Sequence, residues 1–99
     1  MTDKYDGKSM ELNEAILSLQ TKSDLDSFLT DLCTPSELKA LKERWRVCQL
    51  LSVEELSYRE IHKITGASLT TIGRVARFLR DESYGGYRNI LKKEKESDV

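Results

Sequence analysis

Along the chain, apolar side chains recur at spacings of three and four, and no run of β-branched residues alternates with polar ones. That pattern predicts helices and no strands. Leu12, Ile16 and Leu19, with Ala15 and Leu17 beside them, form the first stripe, and Ser9 is placed to cap it. Thr21-Lys22-Ser23 interrupts the pattern. Ser23 is then expected to cap a second short helix carrying Leu25, Phe28, Leu29 and Leu32. The first eight residues are polar and are expected to be loose.

The clearest start signal is Thr34-Pro35-Ser36-Glu37, a capping box with proline at the first helical position. Leu38, Leu41, Trp45 and Cys48 follow and Leu51 extends the stripe, so a long central helix should run to about Leu51. Its other face shows Lys39, Lys42, Glu43 and Arg46. Trp45 sits on the apolar stripe and reads as core. Ser57-Tyr58-Arg59-Glu60 is a second capping box, which predicts a short helix from Tyr58 to about Ile64. Thr65-Gly66-Ala67 is a turn in which Gly66 can take the positive φ that ends a helix. Ser68 caps the next helix, with Leu69, Ile72, Val75 or Ala76, and Leu79 facing inward. Gly73 costs ~1 kcal/mol against alanine in a helix interior, which suggests close approach by a neighbour. Tyr84-Gly85-Gly86-Tyr87 reads as a loop or hinge, and Arg88 to Glu96 as a last helix around Ile90 and Leu91. Several of these six helices are too short to persist alone, so packing must hold them. The fold class is all-α.

Composition sharpens this reading at two points. A hydrophobic content of 38% beside 33% charge is thin for a self-sufficient core. The net charge of −1 hides an uneven distribution: residues 1–34 sum to −4, residues 35–80 to +4, and residues 81–99 to −1. From Leu56 to Arg80 the cations are Arg59, Lys63, Arg74, Arg77 and Arg80, against the single anion Glu60. A basic module beside an acidic flank suits a nucleic-acid reader. Cys33 and Cys48 lack CxxC spacing and read as reduced thiols. His62 is the sole histidine and cannot build a metal site with two distant cysteines. No apolar run approaches the ~20 residues needed to span a bilayer. The N-terminus also lacks a signal-peptide pattern. A cytoplasmic protein without membrane contact is expected.

Two short helices around a glycine turn can place the second in a DNA groove. Ile61, Ile72 and Val75 take the positions where such helices touch, though His62 stands where most such motifs have a small residue. Thr70 and Thr71 offer hydroxyls to bases or phosphates, and Leu69 suits a thymine methyl. The amides after Ser68 would face DNA with a favourable dipole. An enzyme finds no support: there is no nucleophile–base pair, phosphate loop, HExxH or carboxylate cluster.

On these residues the chain resembles the Trp repressor family. TPSELKALKERWRV, from Thr34, is similar to that family's long central helix, and SYREIHKITGASLTTIGRVARFL, from Ser57, to its reading head. The spacing between the two blocks agrees without a gap, and the match from Thr34 through Leu79 covers about half the chain. More narrowly, the chain resembles the short Trp-repressor-related proteins of Gram-positive bacteria. The resemblance implies one domain over residues 1–99 and an intertwined homodimer, with residues 9–51 as dimerisation helices, 57–80 as helix-turn-helix and 87–96 as C-terminal helix. Leu12, Ile16, Phe28, Leu32, Leu41, Trp45 and Leu91 would then be shared between subunits. The implied partner is double-stranded DNA, met by Tyr58, Arg59, His62, Ser68, Leu69, Thr70, Thr71, Gly73, Arg74 and Arg77; the alternative for Arg77 and Arg80 is salt pairing with Asp81 or Glu82.

In the family a tryptophan corepressor lies between two arginines. The matching residues here are Arg44 and Arg74, with Thr34 as the matching threonine. Val75 replaces the glycine after the second arginine, and Phe78 the serine that meets the ligand's amino group. Bulk and a lost polar partner argue against L-tryptophan, so Thr34, Arg44, Arg74, Val75 and Phe78 are a pocket for another effector or for none. No cofactor or metal is expected. The leading function is a homodimeric, sequence-specific transcriptional regulator, a repressor binding a pseudo-palindromic operator. A dimeric protein-interaction module whose helix-turn-helix has lost DNA binding remains the alternative.

Overall fold

The computed structural model describes residues 9–53 and 55–97. The expectation for residues 1–8 falls outside them. Among the described residues there are six helices and no strands: α1 (Leu12–Ser18), α2 (Lys22–Leu32), α3 (Pro35–Val53), α4 (Tyr58–Thr65), α5 (Leu69–Arg80) and α6 (Gly86–Ser97). None is long and apolar enough to cross a membrane. The chain divides into two compact units, Met1–Leu38 and Lys39–Val99.

In the first unit two starts differ from expectation. Glu11, not Ser9, precedes α1, and its amide donates to the Glu14 carboxylate at 3.1 Å. Thr21, not Ser23, caps α2, its hydroxyl accepting from the Asp24 amide at 3.0 Å. Thr21 lies two residues earlier and reaches the orphan amide first, which leaves Ser23 inside the first turn. Neither helix buries a residue: Leu12, Ile16 and Leu32 are exposed, and Leu25, Phe28 and Leu29 are half-buried. The capping box that opens α3 forms as expected. The Glu37 amide donates to Thr34 Oγ1 at 3.2 Å, and the Thr34 amide to Glu37 Oε1 at 2.8 Å. Those bonds, from the Thr34 backbone first and its side chain second, hold the Glu37 carboxyl below its ordinary pKa.

The second unit holds the core. Val47, Cys48, Leu50 and Leu51 of α3 meet Ile61 of α4, Ala67 of the turn, and Ile72, Val75, Ala76 and Leu79 of α5. Trp45, Leu56, Tyr87 and Leu91 pack around this cluster. α3 runs two residues past the expected end, and its sequence stripe at Leu38, Leu41 and Trp45 stays partly or wholly exposed. Leu69 is 53% exposed, so it does not belong to the inward face of α5. It occupies the first position of the helix, before the turn that packs against α4. α6 starts at Gly86 rather than Arg88, because only Gly85, at φ +73°, is needed to turn the chain. Arg88 then reaches back, donating to the Leu79 carbonyl at 2.8 Å and the Glu82 carbonyl at 3.0 Å. It thereby satisfies carbonyl groups at the C-terminal end of α5.

Candidate nucleic-acid interface

The reading head is α4, its turn and α5. Ser57 and Glu60 form the second capping box, with the Glu60 amide donating to Ser57 Oγ and the Ser57 amide to Glu60 Oε1, both at 3.1 Å. Bonding from the Ser57 backbone, then its side chain, lowers the Glu60 pKa. Gly66 ends α4 at φ +78°, its amide donating to the His62 carbonyl at 2.8 Å. Ile61 and Ile72 are fully buried and Val75 is 1% exposed, so the three expected helix contacts are all in place.

With those residues turned inward, the opposite side of the head carries the polar groups. Tyr58, Arg59, His62, Ser68, Leu69, Thr70, Arg74 and Arg77 are exposed, and Thr71 and Gly73 half-exposed. Ser68 caps α5: its Oγ accepts from the Thr71 amide at 3.1 Å and donates to Thr71 Oγ1 at 3.0 Å. The Thr71 hydroxyl hydrogen can still be donated outward. No acidic residue lies in the first turn of α5, which leaves its dipole uncompensated. Beyond its two chain neighbours and the backbone of its own helix, a β-carbon on Gly73 would meet no atom of the described residues within 4 Å. The expected close approach to Gly73 is therefore not made within this chain.

Two expectations change in detail. His62 is exposed, yet its Nδ1 sits 2.7 Å from the Ala67 carbonyl and is tied to the turn. Arg77 is paired with Glu82, at 2.7 Å from Nη2 and 2.8 Å from Nε. Arg80 lies 3.5 Å from the Leu51 carbonyl. A second ion pair joins Lys22 and Asp26 at 3.1 Å.

Beside the head is a groove of about 740 Å³. Arg44, Arg74, Val75 and Phe78 line it, together with Leu41, Trp45, Tyr84, Tyr87 and Ile90. Four of the five residues assigned to an effector pocket thus meet here. The fifth, Thr34, is engaged as the cap of α3. The Arg74 guanidinium lies 4.3 Å from the centre of the Phe78 ring, and that of Arg77 lies 5.8 Å away. Tyr84 stacks on Phe78 with centroids 6.0 Å apart and a 16° tilt, while Trp45 and Tyr87 lie 6.4 Å apart. Burial is the main reason the Tyr87 pKa is raised; Cys48 adds to the rise, and Arg44 and Arg74 oppose it. Leu41, Tyr84, Tyr87 and Ile90 carried no site signal in the sequence. Their role depends on α6 folding back beside α5.

Cys33 and Cys48 are both free thiols. No group of three or more potential metal ligands occurs among the described residues.

A helix-turn-helix with a buried seam, a capped second helix and a basic outer side defines the class of all-α DNA-binding regulators. A family model described as Trp repressor protein matches residues 8–95, and the chain belongs to the Trp repressor family. A curated relative, uncharacterized protein YerC of Bacillus subtilis (strain 168), is 38% identical over 100 residues, covering 98% of this chain and 92% of YerC. Among solved structures, a TrpR-like protein from Eubacterium eligens ATCC 27750 aligns with a TM-score of 0.78 at 36% identity, covering 85% of this chain and 84% of that one. A candidate Trp repressor from Staphylococcus aureus aligns at 0.79 and 32% identity, covering 96% and 94%. These similarities bear out the resemblance and the all-α fold read from the sequence.

Proposed function

We propose that the protein is a homodimeric, sequence-specific DNA-binding regulator of the cytoplasm that represses transcription from a pseudo-palindromic operator without tryptophan. The observation that carries DNA reading is the outer side of α4 and α5. It joins Arg59, Arg74 and the N-terminus of α5, with Ser68, Thr70 and Thr71, and has no acid in that helix's first turn. The dimer rests on uncovered apolar surface. Leu12, Ile16, Leu32 and Leu41 are 55%, 38%, 51% and 44% exposed in the single chain. A second subunit would remove them from water at ~25 cal/mol per Å². Two heads would then meet DNA one turn, ~34 Å, apart.

The tryptophan-free reading follows from Phe78. Its ring already lies against Arg74, where an indole would have to stack, and it offers no group to a ligand's ammonium. The head is then held in one pose by the protein's own side chain.

Electrophoretic shifts with genomic duplex fragments test the reading. Binding should weaken steeply as salt rises, and the selected fragments should share a pseudo-palindrome. Absence of binding to every fragment at low salt would leave the protein-interaction module as the better account. Calorimetry with millimolar L-tryptophan should show no heat of binding; micromolar affinity coupled to tighter DNA binding would overturn the tryptophan-free part.

A further inference from the structure

The residue that joins the two reading helices has an unusual arrangement of hydrogen bonds. Ala67 is 1% exposed, and its amide and carbonyl lie between the α4 and α5 ladders. Buried backbone groups need partners. Both partners come from side chains of α4. The Ala67 amide donates to Thr65 Oγ1 at 3.1 Å, and the Thr65 hydroxyl donates to the Ile61 carbonyl at 2.8 Å. The Ala67 carbonyl lies 2.7 Å from His62 Nδ1. A carbonyl oxygen only accepts, so Nδ1 carries the proton in the neutral ring and in the imidazolium alike.

We propose that His62 is a positioning residue of the reading head. Its Nδ1–H bond to the Ala67 carbonyl locks the turn and sets the pose in which the N-terminus of α5 meets DNA. The proposal rests on the DNA-binding reading above for its functional consequence, and on the free protein for its geometry. Ala67 directly precedes Ser68, the N-cap of α5. Its carbonyl shares a peptide plane with the Ser68 amide, so pinning that oxygen fixes the plane from which the helix starts. Gly66, at φ +78°, is the one left-handed residue of the turn, and the ring bridges across it. This also accounts for a large side chain where helix-turn-helix motifs favour a small one. His62 stays outside the buried seam and folds over the turn.

The two ring nitrogens can be tested separately. An asparagine amide sits near the place of Nδ1, whereas a glutamine amide reaches the place of Nε2. Dissociation constants would be measured by fluorescence anisotropy on a duplex fragment selected by the wild-type protein from genomic DNA, at constant salt. His62→Asn should stay within about twofold of wild type. His62→Gln and His62→Ala should each bind about fivefold more weakly, the scale of one ordinary hydrogen bond. Gln at wild-type affinity with Asn weakened would make Nε2 the working atom and overturn the proposal, as would equal affinities throughout or an Asn variant as weak as Ala. Circular dichroism identifies a variant that fails to fold, and the Asn–Gln comparison still decides if Ala is lost. Nitrogen-15 NMR of the free wild-type protein, with the ring neutral, should place the proton on Nδ1; a proton on Nε2 overturns the lock. Should no fragment be selected at all, the DNA reading fails while the NMR result still judges the geometry.

Discussion

The Phe78 ring has the Arg74 guanidinium 4.3 Å from its centre and the stacked Tyr84 ring at 6.0 Å, in the lining of the groove that Arg44 and Arg74 share. A cation over an aromatic face is worth ~0.5–1 kcal/mol at a partly exposed site. A double-mutant cycle of Arg74→Ala and Phe78→Ala should therefore give a coupling of about that size in chemical denaturation. Additive losses would mean the ring does not hold the arginine. Cys48 is fully buried among core residues. Burial pushes its thiol pKa from 9.0 up to about 11. The unfolded chain loses that proton first as pH rises, so folding stability is complete below about pH 9 and declines between pH 9 and about 11. The full loss is ~2–3 kcal/mol at one pKa unit per 1.36 kcal/mol. Denaturation midpoints across that range should fall for wild type and stay flatter for Cys48→Ala, after allowing for that variant's lower starting stability.

At the scale of elements, the two glycines of the reading head should answer the same substitution with opposite signs. Gly66 holds φ +78°, and alanine there costs ~1–2 kcal/mol. Gly73 is helical with open space where a β-carbon would go, so Gly73→Ala should gain up to ~1 kcal/mol. Urea denaturation of the two variants checks both signs. If Gly73 is kept bare for DNA, its alanine variant should be the more stable protein and the weaker binder. What could be read from the sequence follows the same division between local and distant causes. The boxes at Thr34–Glu37 and Ser57–Glu60 and the cap at Ser68 need only residues three apart, and all three form as read. The start of α2 was misplaced because Thr21 and Ser23 both qualify as caps, and spacing alone does not rank them. The inward place given to Leu69 failed because helical periodicity does not say where along α5 its contact with α4 begins. Arg88 on the end of α5 and His62 on Ala67 left no mark in the pattern at all. Each of them depends on the backbone having already turned.

For the molecule as a whole, a net charge of −1 has to be reconciled with binding a polyanion. The sequence does so by segregation, placing −4 in residues 1–34 and +4 in residues 35–80. The structure adds a finer device just past the end of the reading head, where Glu82 pairs with Arg77 in the free chain. The Arg77 side chain is 67% exposed, and surface pairs of this kind are worth ~0–1 kcal/mol, so a phosphate can compete for the arginine. Glu82→Gln should accordingly leave stability within about 1 kcal/mol of wild type while raising affinity for duplex DNA severalfold. The logarithm of the binding constant should also fall more steeply with the logarithm of salt, by about one unit for one added phosphate contact. Combining it with Arg77→Ala should remove the extra slope, because the released cation is then gone. A gain in affinity that survives Arg77→Ala would instead assign the effect to the lost negative charge alone, and Arg77 would be a fastener of the α5 terminus rather than a contact to DNA.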